Sequence, residues 1–279
     1  MTADVRLRGD PVKLGFSSLA AIDRPLSDLV RALGRLGYDG VEIRGKDRKH
    51  ADPAMSKAER REVRQVVADA GIEAAAVTSY MRLGEESADK AAARACLAAY
   101  FQLANDLGSP LVRVFGGAVP KGQERRDVER RMADLLMGVA DEARMAGVRI
   151  CLETHDAFTR GADVARVLAM ADHPAVTALW DVNNQFETGE PCQEALERLW
   201  PRIGYLHVKD SFPLPGGRRQ LCFLGAGDVP IAETLAALKA RNFGGYVVIE
   251  WEKAWHPELA EAEVAAAQHI LKLREYLAR

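Results

Sequence analysis

The sequence predicts a single (β/α)8 barrel, in which eight parallel strands alternate with eight helices. Short apolar runs alternate with longer amphipathic runs along the 279 residues, which is typical of α/β proteins with a parallel sheet. Glycine follows several amphipathic runs, as at Gly37, Gly71, Gly108 and Gly147. Because glycine readily adopts the left-handed conformation that ends a helix, each of these glycines indicates a junction between a helix and a strand. The number of units and the chain length both fit such a barrel.

Eight apolar runs are predicted to be buried strands. Parallel strands are covered on both faces, so they tolerate charged residues mainly at their ends. The predicted strands lie near Lys13–Phe16, Gly40–Arg44, Ile72–Thr78, Leu111–Phe115, Val148–Glu153, Thr177–Asp181, Ile203–Val208 and Tyr246–Trp251.

Eight runs with helical periodicity lie between and after these strands, and they are rich in Ala, Arg, Glu and Leu. They lie near Pro25–Leu36, Ser56–Ala70, Ser87–Leu107, Gln123–Ala146, Gly161–Ala171, Gln193–Leu199, Ile231–Arg241 and Pro257–Leu277. No linker rich in proline and serine interrupts the pattern, so residues 1–279 are predicted to form one domain. A doubly wound sheet is the alternative, although such sheets seldom contain this many regularly spaced strand–helix units.

The overall charge gives no sign of a nucleic acid or anionic membrane partner. The chain has 38 Lys and Arg against 40 Asp and Glu, a formal net charge of −2, so we expect a small soluble substrate. The four cysteines are widely separated and form no Cys-x-x-Cys pair. They are predicted to be reduced thiols. The first ten residues lack the apolar run of a signal peptide and no apolar stretch is long enough to span a bilayer, so we expect a cytoplasmic protein.

A polar side chain ends each of the last four predicted strands, and these side chains are Glu153, Asp181, His207 and Glu250. In a closed barrel the carboxyl ends of the strands meet at one rim, so residues far apart in the sequence can reach one ion. A single carboxylate at a strand end is more often a helix cap or part of an ion pair, and a single histidine is more often a core residue. Four such residues on successive strands favour a shared site.

Three carboxylates and one imidazole form a ligand set that is mostly oxygen and has no thiolate. This set suits one divalent ion, with Mn²⁺ as the first choice, Mg²⁺ or Co²⁺ as alternatives and Zn²⁺ in a catalytic role as a further option. The bound site would have a net charge near −1. Such a charge favours a neutral hydroxy-ketone as the ligand unless further cations assist.

Several motifs resemble those of the xylose isomerase-like sugar phosphate isomerase/epimerase family. The motifs are Leu152-Glu153-Thr154-His155, Trp180-Asp181-Val182-Asn183-Asn184, Thr188-Gly189-Glu190, His207-Val208-Lys209-Asp210 and Leu224-Gly225-Ala226-Gly227-Asp228. The resemblance covers essentially the whole barrel and implies a TIM barrel in which Glu153, Asp181, His207 and Glu250 bind the metal. It also implies that Glu153 and Glu250 move protons as an acid/base pair. The family includes ketose 3-epimerases, hydroxypyruvate isomerases, inosose and dehydroshikimate dehydratases, and apurinic endonucleases.

The expected chemistry is proton abstraction next to a carbonyl through an enediolate intermediate. A divalent ion that binds a carbonyl and the adjacent hydroxyl acidifies the neighbouring C–H bond. Carboxylates on opposite faces can then remove and return the proton, while transfer to the next carbon gives isomerisation and loss of a β-hydroxyl gives dehydration. We therefore expect an isomerase or epimerase of a small sugar or keto-sugar. A dehydratase or lyase that acts on a keto-polyol or keto-sugar is the alternative, and a barrel that only binds sugar is a third interpretation.

One position departs from the family pattern. Many relatives carry a histidine three residues after the aspartate ligand, whereas this chain has Asn184. An amide can hydrogen-bond a hydroxyl group but cannot carry a proton near neutral pH, so the dehydratase alternative stays open. The endonuclease branch needs more histidines for its metal cluster than the six in this chain, so nuclease activity is set aside.

Further polar residues near the rim are candidates for substrate binding. We expect His155, Asn184, Lys209 and Arg218 to contact the substrate, although a structural ion pair is the simpler explanation for Lys209. The sequence does not decide whether Arg218 or Arg219 faces the pocket.

Two further expectations concern the barrel interior and the assembly. Glu42 and Arg113, on the second and fourth strands, are predicted to face each other inside the barrel as an ion pair. A homo-oligomer also remains open.

Overall fold

A computed structural model describes residues 12–278, and within them eight parallel strands close into a barrel while two shorter strands form a hairpin. The strands are β1 (Lys13–Ser17), β2 (Gly40–Arg44), β3 (Glu73–Arg82), β4 (Leu111–Phe115), β5 (Arg149–Glu153), β6 (Val176–Asp181), β7 (Ile203–Val208), β8 (Asp210–Pro213), β9 (Arg219–Cys222) and β10 (Tyr246–Ile249). Each of β1 to β6 pairs with the next strand, β7 pairs with β10, and β10 pairs with β1, so the barrel has no free edge.

Helices join successive barrel strands and surround them. They are α1 (Leu26–Leu36), α2 (Lys57–Asp69), α3 (Leu83–Glu86), α4 (Lys90–Leu107), α5 (Arg125–Met145), α6 (Gly161–Met170), α7 (Val182–Glu187), α8 (Cys192–Leu199), α9 (Ile231–Ala240) and α10 (Ala262–Ala278). The predicted (β/α)8 TIM barrel is therefore confirmed. The prediction of one domain over residues 1–279 stays a prediction, because residues 1–11 and 279 lie outside the described range.

The helix ends explain why glycine was a useful signal. Gly37 follows α1 with φ of 81° and donates its backbone N–H to Gly34 and Leu33, and Gly108 follows α4 with φ of 76°. This left-handed conformation satisfies the last carbonyls of a helix and lets the chain turn back toward the barrel.

Side chains fill the inside of the barrel below its carboxyl-terminal rim. A cluster of buried residues occupies the interior, namely Ala75, Ala76, Leu111, Cys151, Leu179, Tyr205, Tyr246 and Val248. A larger apolar cluster lies between the strands and the surrounding helices. Because side chains pack the barrel interior, the polar residues at the strand ends lie directly above this packed layer.

Three elements of the rim were not predicted. β3 continues to Arg82, α7 begins directly after Asp181, and β8 pairs with β9 as an antiparallel hairpin after β7. The Asp181 side chain starts α7 by accepting a hydrogen bond from Asn184 N at 2.9 Å. This is the usual bond of a helix N-cap.

Two buried carboxylates in the motifs hold the rim loops. Asp210 accepts the backbone N–H groups of four residues, namely Ser211, Gly225, Gly227 and Val229. A β-carbon at Gly227 would lie 2.1 Å from Asp210 Oδ1, so this close approach requires glycine. Glu190 accepts the N–H groups of Gly161 and Ala162 at the start of α6. These motif residues therefore build the scaffold of the site.

None of the helices between residues 12 and 278 has the length and apolar character needed to cross a membrane.

Candidate metal centre

The four predicted ligands meet at the carboxyl-terminal rim of the barrel. Glu153 and Asp181 are the last residues of β5 and β6, His207 lies near the end of β7, and Glu250 follows β10 directly. One potential ligand atom from each residue lies within 4.8 Å of those of the others, and all four residues are buried. The convergence follows from barrel closure, because β5, β6, β7 and β10 are neighbours in the sheet.

Each of the four side chains has at least one polar atom held by a neighbouring group, and Asp181 has both, because Lys209 Nζ also donates to its Oδ2 at 2.8 Å. The bonds join Arg113 Nη1 to Glu153 Oε2 (3.1 Å), Asn184 N to Asp181 Oδ1 (2.9 Å), His207 Nε2 to Glu42 Oε2 (2.7 Å) and Lys209 Nζ to Glu250 Oε2 (2.5 Å). Such outer contacts fix the orientation of metal-binding side chains.

The second polar atoms of Glu153, His207 and Glu250 lie close to one another. Glu153 Oε1 and His207 Nδ1 are buried and have no hydrogen-bond partner among the described residues. They are 3.6 Å apart, and His207 Nδ1 is 3.4 Å from Glu250 Oε1. Buried polar atoms without partners are rare, so these atoms fit a divalent cation held by Glu153, Asp181, His207 and Glu250.

Glu42 determines which nitrogen of His207 can bind a metal. Glu42 Oε2 also accepts a hydrogen bond from the Tyr205 hydroxyl at 2.8 Å. When His207 Nε2 donates its hydrogen to this carboxylate, Nδ1 keeps a lone pair toward the cluster. Burial lowers the pKa of His207, but Glu42 and Glu250 outweigh it and hold the pKa well above its usual value. Metal binding at Nδ1 is therefore coupled to release of a proton.

The carboxyl groups of the cluster differ in their electrostatic environments. Burial raises the pKa of Asp181 to about 6, although Lys209 acts in the opposite direction. For Glu250 the effect of burial is outweighed by Lys209 and His207, which hold its pKa well below the usual value. For Glu153 burial is outweighed by Arg113 and His207, so its pKa is lowered. Both glutamates are therefore ionised near neutral pH.

The model of the xylose isomerase-like TIM barrel family matches residues 30–276. The chain belongs to this family. The match confirms the resemblance indicated by the motifs at the strand ends. A comparison with curated proteins by sequence finds no match.

Solved structures of similar proteins show the same fold. A D-psicose 3-epimerase solved with D-fructose is 16% identical, with a TM-score of 0.79 over 96% of this chain and 100% of the other. The IolI protein with a zinc atom is 19% identical, with a TM-score of 0.78 over 96% of this chain and 98% of the other. A probable 3-DHS dehydratase from Bacillus anthracis is 17% identical, with a TM-score of 0.75 over 94% of this chain and 99% of the other.

The predicted ion pair between Glu42 and Arg113 is wrong in this xylose isomerase-like barrel. Both side chains are buried inside the barrel. Arg113 instead contacts Glu153 and donates Nη2 to Ser79 O at 2.9 Å, while Glu42 contacts Tyr205 and His207. The reason is strand order, because β4 is adjacent to β5 and is separated from β2 by β3.

Lys209 forms structural ion pairs, which was the simpler of the two roles considered for it from the sequence. Its Nζ lies within 2.8 Å of Asp181, Glu250 and Glu252. Burial lowers the pKa of Lys209, but these carboxylates outweigh it and hold the pKa well above its usual value. The ammonium group is therefore charged, and contact with a substrate stays a prediction.

His155 and Asn184 lie beside the cluster. The His155 side chain is 35% exposed, with Nδ1 3.0 Å from Asp156 Oδ1. The His155 ring packs against Phe115 with 4.5 Å between ring centroids. Asn184 is half-buried in the first turn of α7. The backbone N–H of Asn184 donates to the proposed ligand Asp181, and the contacts of His155 and Asn184 with substrate stay predictions.

The two candidate arginines have different surroundings. Arg218 is exposed in the turn between β8 and β9. Arg219 is half-buried, donates Nε to Ser211 Oγ at 2.9 Å, and lies with its guanidinium 5.3 Å from the Phe186 ring centroid. The arginine that is fixed in the rim is therefore Arg219, whereas substrate binding by Arg218 stays a prediction.

Sequence reasoning missed Tyr205 and Glu252. Tyr205 lies two residues before His207 on β7, so the alternation of side chains along a strand places both on one face. Glu252 lies two residues after Glu250, but beyond the end of β10. The spacing was a usable signal for Tyr205 and a weaker one for Glu252, because the alternation of a strand does not extend into a loop.

The rim also carries an aromatic and basic wall. Tyr80 and Phe115 are in edge contact with 6.0 Å between ring centroids. Arg44 Nε donates to the Tyr80 hydroxyl at 3.1 Å, and Arg113 lies 4.0 Å from the Phe115 ring centroid. Phe115 pairs with Glu153 across β4 and β5, and Arg113 contacts Glu153, so this wall adjoins the metal centre and supplies aromatic faces and hydrogen-bond donors.

Proposed function

We propose that this protein is a divalent-metal-dependent isomerase or epimerase of a small sugar or keto-sugar that moves a proton next to a carbonyl through an enediolate. The observation that carries the proposal is the buried cluster of Glu153, Asp181, His207 and Glu250, in which polar atoms without partners face each other. A bound divalent ion supplies a Lewis acid that polarises the substrate carbonyl. Mn²⁺ is our first choice, because oxygen ligands predominate.

Glu153 and Glu250 are proposed as the acid/base pair. Glu153 is the last residue of β5 and Glu250 follows β10 directly, and these strands are the two ends of the arc that carries the cluster. Arg113 and Lys209 hold one oxygen of each carboxylate, so the other oxygen can point toward a substrate between them. One carboxylate can then remove a proton from one face of the substrate while the other serves the opposite face.

The names of the structural neighbours support a sugar substrate. They include a D-psicose 3-epimerase and an L-ribulose 3-epimerase. The zinc atom in the IolI structure supports a metal requirement. Within the same proposal, His155, Asn184, Lys209 and Arg218 contact the substrate. A nucleic acid partner is not part of the proposal, and the cytoplasmic location stays a prediction.

A dehydratase or lyase is the second candidate. Asn184 favours it, because this amide cannot carry the proton that a histidine carries at the same place in many relatives. A dehydratase is also among the structural neighbours.

Deuterium incorporation distinguishes the two reactions. The protein is stripped with a chelator, reloaded with Mn²⁺ and incubated in D₂O with a panel of ketoses. We expect deuterium at the carbon next to the carbonyl with no loss of water, detected by NMR and mass spectrometry. Loss of water would instead establish the dehydratase. A Mn²⁺-loaded protein that converts none of the panel would favour a barrel that only binds sugar.

Substitution of either glutamate tests the acid/base assignment. We expect Glu153→Gln and Glu250→Gln to lower turnover by at least about 100-fold, because an amide cannot accept the proton. Metal content is measured for each variant, so that loss of Mn²⁺ is separated from loss of proton transfer. The exposed Glu258→Gln is the matched control. A metal-loaded Glu153→Gln or Glu250→Gln variant with normal turnover would contradict the assignment.

A further inference from the structure

Lys209 lies among three carboxylates at the rim of the barrel. Its Nζ is 2.8 Å from Asp181 Oδ2, 2.5 Å from Glu250 Oε2 and 2.6 Å from Glu252 Oε1, and its side chain is 3% exposed. Asp181 and Glu250 are proposed metal ligands, whereas Glu252 is not. In the proposed proton transfer Lys209 holds one oxygen of Glu250 and contacts the substrate, and neither task explains its contact with Glu252.

We infer that Lys209 is an internal counter-cation of the metal centre, which competes with a divalent ion for Asp181 and Glu250 and shifts onto Glu252 when the ion binds. The inference rests on the metal-dependent function proposed above. It adds that this lysine sets how tightly the site holds its metal.

Asp181 is the residue for which competition is most direct. Its Oδ1 already accepts the Asn184 N–H that starts α7. Its Oδ2 is the oxygen to which Lys209 donates. An oxygen that accepts a charged hydrogen bond donates less electron density to a metal. A metal that binds this carboxylate therefore weakens the contact with the lysine.

Glu252 gives the ammonium group a position that does not involve a proposed ligand. It lies in the loop between β10 and α10, with a side chain that is 21% exposed. Its other oxygen, Oε2, lies 3.7 Å from His256 Nε2. Because the lysine side chain is long and flexible, Lys209 can keep its contact with Glu252 while it gives up Asp181.

Electrostatic repulsion makes the two cations competitors. An ammonium group and a divalent ion that share two buried carboxylates repel each other, and solvent ions screen this repulsion little. The buried Arg113 also contacts a proposed ligand, because it donates to Glu153 and to the backbone oxygen of Ser79. Within residues 12–278, Glu153 is the only carboxylate in ion-pair contact with Arg113, whereas Lys209 also contacts Glu252, a carboxylate that is not a proposed ligand.

The test is a double-mutant cycle on the full chain. Mn²⁺ affinity is measured by calorimetry on chelator-stripped wild type, Lys209→Met, Glu252→Gln and the double variant. We expect Lys209→Met to bind Mn²⁺ at least about tenfold more tightly, because the competing charge is gone. We expect Glu252→Gln to bind Mn²⁺ several-fold more weakly. In this variant the only carboxylates left beside Lys209 are Asp181 and Glu250, which are the proposed metal ligands.

The double variant shows whether Glu252→Gln acts through competition between Lys209 and Mn²⁺ or through the loss of a negative charge near the metal. In the Lys209→Met background, Glu252→Gln is expected to change Mn²⁺ affinity less than about twofold, since no ammonium group remains to be accommodated. An equal effect of Glu252→Gln in both backgrounds would overturn the inference. Weaker or unchanged Mn²⁺ binding by Lys209→Met would also overturn it and would make Lys209 a residue that positions its two carboxylates.

Thermal stability gives a second readout that does not depend on activity. Without metal, Lys209→Met is expected to melt several degrees below wild type, because buried carboxylates lose their counter-ion. Saturating Mn²⁺ should restore most of this difference and stabilise the variant more than it stabilises wild type. If wild type and Lys209→Met both fail to bind Mn²⁺, the metal-dependent function fails together with this inference. If both proteins bind Mn²⁺ but Lys209→Met does not bind it more tightly than wild type, only the inference fails and the metal-dependent function stands.

Discussion

His207 shows at the residue scale how one contact prepares a side chain for its proposed role. Its Nε2 lies 2.7 Å from Glu42 Oε2, while its Nδ1 has no hydrogen-bond partner among the described residues. The carboxylate therefore fixes the direction of the ring and leaves Nδ1 as the nitrogen that can bind a metal. Glu42 in turn is held by the Tyr205 hydroxyl.

The pair of Glu42 and His207 gives a residue-scale prediction. Glu42→Gln should weaken Mn²⁺ binding by about tenfold, because the neutral amide holds the ring less firmly and makes Nδ1 less basic. Tyr205→Phe is the matched control, since it removes one donor to Glu42 but leaves the carboxylate, and its effect should be smaller. Calorimetric titration measures both variants. Unchanged affinity in Glu42→Gln would show that His207 is oriented by other contacts.

At the scale of elements, the hairpin of β8 and β9 is tied to the helix that follows the aspartate ligand. Arg219 donates to Ser211 Oγ, and this hydroxyl donates to Asn183 Oδ1 in α7 at 2.6 Å. Hydrogen bonds therefore link the hairpin to α7, and Asp181 is the N-cap of α7. A change in the hairpin is expected to alter the position of this proposed ligand.

The two arginines of the hairpin allow an element-scale test. Arg219→Met is expected to lower kcat/KM by about tenfold with a fall in Tm of only a few degrees, because it removes the contacts of the hairpin with Phe186 and Glu187 of α7. Arg218→Met is the comparison at the neighbouring exposed position. If Arg218 binds substrate as the sequence predicts, this variant should raise KM and leave kcat unchanged. A larger loss of kcat in Arg218→Met than in Arg219→Met would contradict the proposed role of Arg219.

At the scale of the whole molecule, α10 brings the end of the described chain back to its beginning, because α10 packs against α1 and α9. His269 of α10 is fully buried, with ring centroids 5.7 Å from Phe223 and 5.0 Å from Trp251. Burial lowers the pKa of His269 to about 3 from an ordinary value of 6.5. The folded protein therefore keeps this ring neutral at pH values where the unfolded chain takes up a proton.

This difference predicts how global stability depends on pH. The contribution of His269 is fully present above pH 6.5 and is lost as the pH falls toward about 3, because only the unfolded state binds the proton. Between pH 7 and pH 5, wild type should lose about 2 kcal/mol more free energy of unfolding than His269→Asn. Urea denaturation of the chelator-stripped proteins measures this difference. Parallel losses in the two proteins would show that His269 does not titrate in this way.

Local patterns in the sequence determined the fold class. The period of the apolar residues distinguishes strands from helices through neighbours two to four positions apart, and glycines such as Gly37 and Gly108 mark helix ends through their own backbone conformation. These effects need no distant partner, so β2, β4 and β7 were predicted with the bounds observed. The strand ends also indicated Glu153, Asp181, His207 and Glu250, because burial excludes charge from the body of a parallel strand.

Only the tertiary structure decided which of the polar residues touch. The contact between Glu42 and His207 spans 165 residues, and the contacts of Lys209 depend on the register of three different strands. The same applies to Arg113, which contacts Glu153 instead of Glu42, and to Asp210, which gathers the N–H groups of the hairpin loop. These contacts depend on barrel closure, which places strands side by side irrespective of their separation in the sequence, and no local pattern contains that information.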